Sequence, residues 1–168
     1  SQLIFFEHSA LKFFQNFKFG THLIESDISK IIGLKKEIIQ KLLNNTSLSD
    51  LDLDSQNIEK EYFKDQNFRN IKKKLVLEIG SARIEELSEI MLFKNINVKS
   101  FLKKKIPIFL EIEEKSNYKC FEKNYRYFFS RNNSHQITFI KDPKASELFL
   151  DVSNFVQYGW KREAVPII

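Results

Sequence analysis

One cysteine, Cys120, stands alone in 168 residues. The chain can therefore close no internal disulfide, which fits a reducing compartment and argues against both a structural zinc site and a secreted, disulfide-stapled scaffold. Glycine is scarce too: 4 residues, about a third of the usual share of roughly 7%. Glycine is what lets a backbone close around phosphate, so few such loops can exist here. No apolar run approaches the roughly 18 to 20 residues that span a bilayer, and the start lacks the basic, apolar, then small-residue order of a secretion signal. The expectation is a soluble cytosolic chain.

What is present is ordinary in amount. At 20.0 kDa the chain can form one domain that buries roughly 70% of its unfolded surface. Hydrophobic residues make up 42% and charged residues 29%, which excludes a disordered tail, a coiled coil or a fibrous repeat. The net charge of +5 raises nucleic acid or anionic lipid as partners. However, the surplus is of lysine in a chain also rich in Ile, Asn and Phe, residues that AT-rich codons specify, so a solvated basic surface accounts for it. Residue 1 is Ser rather than Met, and Leu3 to Phe6 already read as strand, so the chain is expected to be a piece of something longer.

The first nineteen residues read as a hairpin, with Leu11, Phe13, Phe17 and Phe19 on one face of the second arm and Lys12, Asn16 and Lys18 on the other. Ile24, Ile28, Ile31 and Ile32 then recur at helical spacing up to Gly33, and Leu34, Ile38, Ile39, Leu42 and Leu43 form the stripe of a second helix. Residues 44–56 read as a loop in which Leu48, Leu51 and Leu53 could add a short strand. The longest helical signal spans about Phe68 to Phe93. It is basic at its start (Arg69, Lys72 to Lys74) and acidic later (Glu85, Glu86, Glu89), an order that opposes the helix dipole, so tertiary contacts must hold it. A short amphipathic piece leads into Ile106 to Ile112, apolar enough to be covered on both faces. Tyr118 to Phe129 read as helix, His135 to Lys141 as strand, and Asp142-Pro143 as the start of a last helix ending near Tyr158. Strands alternating with helices make the second half α/β.

Chemistry-bearing clusters are few. His8, His22 and His135 lie far apart with no cysteine or carboxylate at ligand spacing, and Cys120 sits beside Phe121 on an apolar helix side as a structural thiol. Glu85 and Glu86 read as solvated helix surface. The runs Lys72 to Lys74 and Lys103 to Lys105 lack any RRM, KH or helix-turn-helix frame.

The residues that carry more are Gly20 and Asp27-Ile28 at the ends of the hairpin-plus-helix unit, and the run Ala82-Arg83-Ile84-Glu85-Glu86-Leu87. In that order they resemble the second lobe of actin-like ATPases, and within that superfamily the bacterial cell-division FtsA proteins, whose long helix carries an Ala-Arg-x-Glu-Glu-hydrophobic run. The likeness covers about residues 1–93, and the rest only by the order of its elements. It implies an actin-like, ribonuclease H-like α/β lobe: a mixed sheet starting with the hairpin, joined by Ile106 to Ile112 and His135 to Lys141, and flanked by helices. Residues 1–45 and 94–160 would be the lobe core, 46–93 an inserted small subdomain with the long helix, and 161–168 the start of a linker. The first lobe would lie upstream of Ser1.

The resemblance further implies a non-enzymatic adhesion role: attaching FtsZ to the inner face of the cell membrane, polymerising head to tail, and reaching lipid through an anchor beyond Ile168, with no nucleic acid as partner. The acidic FtsZ tail would meet Arg69, Lys72, Lys73 and Arg83. ATP is the family's cofactor, with Glu37 and Lys41 the nearest matches to its adenosine-side pair, here four residues apart rather than three. Where the family has a glycine-rich loop, this chain has Glu111-Ile112-Glu113-Glu114, acids that repel a nucleotide. Two other classes remain open: a pilus-assembly or chaperone-type actin-like ATPase, and a small basic nucleic-acid-binding domain.

Overall fold

The computed structural model of the chain describes residues 1–7, 10–45, 56–63, 67–103, 105–112, 115–131 and 134–140. The short strand considered within 44–56, Glu113, Glu114, the last helix and the linker lie outside the described residues. Strands β1 (Gln2–Glu7) and β2 (Ala10–Asn16) form an antiparallel hairpin. Helices α1 (His22–Ile32) and α2 (Lys36–Asn45) follow, then α3 (Lys73–Ser88), β3 (Pro107–Glu111), α4 (Lys115–Phe129) and β4 (Gln136–Ile140). The class is mixed α/β.

The core lies among the helices. Ile24, Ile28 and Ile32 of α1, Ile39, Leu42 and Leu43 of α2, Val76, Ile84 and Leu87 of α3, and Phe121, Tyr125 and Phe129 of α4 are all buried in one cluster. Helix α3 packs on both α1 and α4, and α2 packs on the same two. Residue 80 is glycine because α4 comes so close: a Cβ there would run into the Phe121 ring, with even the ring's farther Cε2 at 3.1 Å. Helix α1 ends at Gly33, whose φ of 73° is the left-handed conformation that glycine adopts without strain.

Four expectations are corrected. First, the single mixed sheet does not form among the described residues: β1–β2 is one two-stranded sheet, and β3–β4, paired in parallel, is another. The hairpin is fastened to a different part of the chain. Phe5 stacks on Phe101 at 4.3 Å and Asn95 donates to Gln15 at 2.9 Å, while the hairpin's own ends are tied by the Ser1 amine donating to the Phe19 carbonyl at 2.9 Å. Second, the long helix starts at Lys73 rather than near Phe68. Ile58 N–H donates to the Ile71 carbonyl and Lys73 N–H to the Gln56 carbonyl, so this antiparallel bridge holds Lys72 extended (φ −74°, ψ 140°). The helix runs on past Ser88 as a π-helical turn through Phe93.

Third, β3 is covered on one side only: Pro107, Phe109 and Glu111 are exposed, Phe109 by 61%. Both faces of a parallel sheet are covered only where a layer packs on each, and for β3 that happens on one side. Fourth, Leu11 points outward, because a bulge shifts the hairpin register between Phe5, opposite Phe13, and Phe6, opposite Leu11.

Where β4 begins, His135 is buried with its ring stacked on Phe93. Burial, with the charges of Arg131 and Lys105 adding to it, holds this imidazole below the ordinary histidine value of 6.5. The folded state thus favours neutral His135, and in mildly acid solution the unfolded chain binds more protons. Its stabilising contribution is full above the unfolded value and is lost as pH falls through that value towards the lowered one. The denaturant midpoint of the parent is expected to fall as pH is lowered from about 7.5 to about 5.5, and to fall less in His135→Gln. Equal pH sensitivity of the two proteins would show that this imidazole carries none of it.

Candidate functional site

Two segments that carry the sequence resemblance meet in space. Asp27, one turn into the buried stripe of α1, lies against α3, and the Arg83 side chain crosses between the helices to it. Arg83 Nε donates to Asp27 Oδ2, and Arg83 Nη1 donates to Glu86 Oε2 at 2.5 Å, one turn on along α3. The Arg83 and Asp27 side chains retain only a quarter and a fifth of their exposure (25% and 19%), so the pair is screened less than a surface pair and holds a fixed geometry.

This ion triad borders an open groove of about 470 Å³ between α1 and α3, lined by Asp27, Ile31, Glu78, Ile79, Ala82, Arg83 and Glu86. Positions 27 and 31 on α1, and 78, 82 and 86 on α3, recur every four residues, which puts each set on one helix face. Three carboxylates face one guanidinium, so the groove is acidic within a basic chain. Its lining holds no hydroxyl, thiol, imidazole or amine. The arrangement sets fixed charge beside the apolar side chains of Ile31, Ile79 and Ala82.

The other sequence candidates do not gather there. Lys73 is buried and pairs with Glu59 at 2.6 Å. Although burial opposes it, the Lys73 hydrogen bond draws the Glu59 carboxyl below its usual value. Arg69 donates to the Ile32 carbonyl at 2.5 Å, capping the end of α1 with a cation where the helix dipole favours one. Lys72 is exposed. Arg69 and Lys72 both lie before α3, Lys72 in extended backbone, so the four cations do not form one helical face. Glu37 and Lys41 stand one turn apart on the exposed side of α2 and line neither this groove nor the smaller one beside His135. Glu111 ends β3, exposed at the carboxyl end of the parallel pair, where an open α/β sheet would receive phosphates. A carboxylate at that place would repel phosphate rather than cradle it. Among the described residues no group of three His, Cys, Asp or Glu could hold a metal ion, and no helix is long and apolar enough to cross a membrane.

Sequence reasoning singled out Asp27 and Arg83 separately but missed their pairing; it placed Ile31 in the apolar stripe of α1 rather than in a groove, and it missed Glu78 altogether. The four-residue spacing was a usable signal for each face; that the two faces look at each other follows only from the packing of α1 on α3. No protein-family model, no curated protein and no solved structure matches this chain.

A double-mutant cycle on Arg83→Gln and Asp27→Asn is expected to give a coupling of about 1 kcal/mol, at or above the upper end for exposed pairs and below the 3–5 kcal/mol lost when a fully buried pair is broken. Chemical denaturation of the four proteins measures it. Additive losses would mean that the two side chains contribute independently.

Proposed function

We propose that the chain works by adhesion as an FtsA-like tether that links FtsZ to the inner face of the cell membrane. The observation that carries this reading is the Arg83–Asp27 ion pair, which joins the Asp27-Ile28 segment to the Ala82-Arg83-x-Glu85-Glu86 run, the two stretches on which the resemblance rests. The groove beside it, where Ile31, Ile79 and Ala82 flank the charged groups, is also consistent with docking. The two separate sheets weigh against a complete actin-like sheet. The reading therefore rests on the motif pair, and head-to-tail assembly and lipid attachment are taken from the family likeness alone.

Charge decides where an acidic tail could land. The groove repels it, and Lys73 and Arg83 are held by carboxylates, which leaves Arg69 and the exposed Lys72. Because Arg69 also caps α1, Lys72 is the cleaner probe. With an FtsZ C-terminal tail peptide, Lys72→Glu is expected to weaken binding by up to about fivefold at low salt, the range of an exposed charge pair, and the difference should fade at high salt. Lys99→Glu, an exposed lysine elsewhere, serves as control. Failure of the parent chain to bind the tail overturns the tether reading; equal loss in both variants would show bulk charge at work rather than a site at Lys72.

A further inference from the structure

The groove between α1 and α3 combines apolar side chains left in solvent with an excess of one charge. Ile31 of α1 is exposed by 60%, and Ile79, half-buried, and Ala82, exposed, line the same groove from α3. Leu75, exposed as well, extends the α3 row by one turn before Ile79. A single exposed isoleucine is ordinary, whereas apolar side chains gathered along one groove mark an interaction site. The lining residues recur every four positions, 27 and 31 on α1 and 78, 82 and 86 on α3. Rows at that spacing are the ridges between which another helix seats its own side chains.

Charge defines which helix fits. Asp27, Glu78 and Glu86 line the groove against Arg83 alone, an excess of two negative charges in a chain whose net charge is +5. Arg83 is shared between Asp27 and Glu86. Glu78 is exposed and has no ion pair or hydrogen bond among the described residues. Lys30 and Lys74, the exposed lysines of these two helices, lie outside the lining and pair with none of its carboxylates. A cation set on Glu78 therefore gains an ion pair that the fold itself does not supply. Glu78 and Glu86, eight residues apart on α3, are separated by about 12 Å along the axis. Lysines at i and i+7 of a partner helix stand about 10 Å apart on one face, close enough for their flexible stems to reach both. We propose that this groove receives a basic amphipathic helix of a partner protein. Apolar side chains at its i+3 and i+4 positions lie over Ile31, Ile79 and Ala82, between cations that meet Glu78 and Glu86.

Other occupants fit less well. A second copy meeting groove to groove sets carboxylates against carboxylates. Nucleic acid and anionic lipid are repelled by the same charge. A small cation finds an open trough rather than a cavity that encloses it. The inference goes beyond the tether reading and does not rest on it, since the acidic tail in that reading meets Lys72 and not this groove.

The test titrates the full chain, by fluorescence anisotropy, with a labelled, capped, alanine-based helical peptide carrying lysines at i and i+7 and leucines at i+3 and i+4. A twin has glutamates in place of the lysines. The lysine peptide is expected to bind at least about tenfold tighter than the twin at low salt, with the gap narrowing as salt is raised. Glu78→Lys should weaken the lysine peptide about fivefold, and Ile31→Ser by a similar factor, with helical circular dichroism unchanged because both positions are exposed. Glu61→Lys, at an exposed glutamate outside the groove, should change it by less than about twofold. Glu78→Gln, which keeps the side chain's shape, should reduce the preference between the two peptides even if the lysine variant folds poorly. Five results would each overturn the proposal: no binding of the lysine peptide, equal affinity for the two peptides, equal loss in Glu78→Lys and Glu61→Lys, displacement of the peptide by an equal concentration of free cadaverine, or sedimentation of the chain alone as a dimer that Ile31→Ser dissociates.

Discussion

Helices α3 and α4 come close enough that only the absent side chain of Gly80 admits the ring of Phe121. Phe121 is wholly buried, and the contact sets the spacing of the helix pair around which the rest is assembled. A second tie lies beside it, Asn124 donating to Ser81 at 2.8 Å. With α4 seated on one side of α3, the other side receives α1, and Ile24, Ile28, Val76 and Ile84 close the core between them. The position of Arg83 relative to Asp27, and hence of the groove, follows from that packing. The strands are secondary: each sheet has two, and a two-stranded sheet is marginal without something to pack against.

Charge is arranged to let α3 exist at all. Its first turn is basic and its last acidic, the reverse of what the helix dipole favours. The structure offsets this locally. Lys73 is bound by Glu59, Glu86 is bound by Arg83, and Lys94, just past the helical run, reaches Glu89 at 3.4 Å. Those same pairings occupy two of the cations that sequence alone makes look like a free basic face, which leaves Arg69 and Lys72 of that set to meet an acidic ligand.

Periodicity made much of this readable beforehand. Helices α1, α2 and α4 and strands β3 and β4 lie where apolar spacing puts them, and Gly33 ends α1 as its position implies. The failures have separate physical causes. Residues 68–72 have helical character, yet the bridge to Asn57 is a long-range contact that outweighs local propensity. A bulge leaves no mark in the alternation of Phe13 and Leu11. Phe109 looks like a residue of a doubly covered strand because its neighbours are apolar, whereas what decides its exposure is whether another layer packs over that face of the strand pair. At the site, Asp27 and Arg83 were legible as residues of interest, but their union depends on which faces of α1 and α3 meet.

Unfolding of Gly80→Ala tests the close packing of α3 on α4 most directly, because the two possibilities differ in sign. On an open helix face the change gains about 0.5–1 kcal/mol from helix propensity and a less flexible unfolded chain. Against the Phe121 ring, overpacking should instead cost about 1–3 kcal/mol, with part of the loss recovered when Phe121→Leu is added to the same protein, a non-additivity expected of residues in contact. A Gly80→Ala protein as stable as its parent, or more stable, would contradict the packing from which the groove and the ion triad follow.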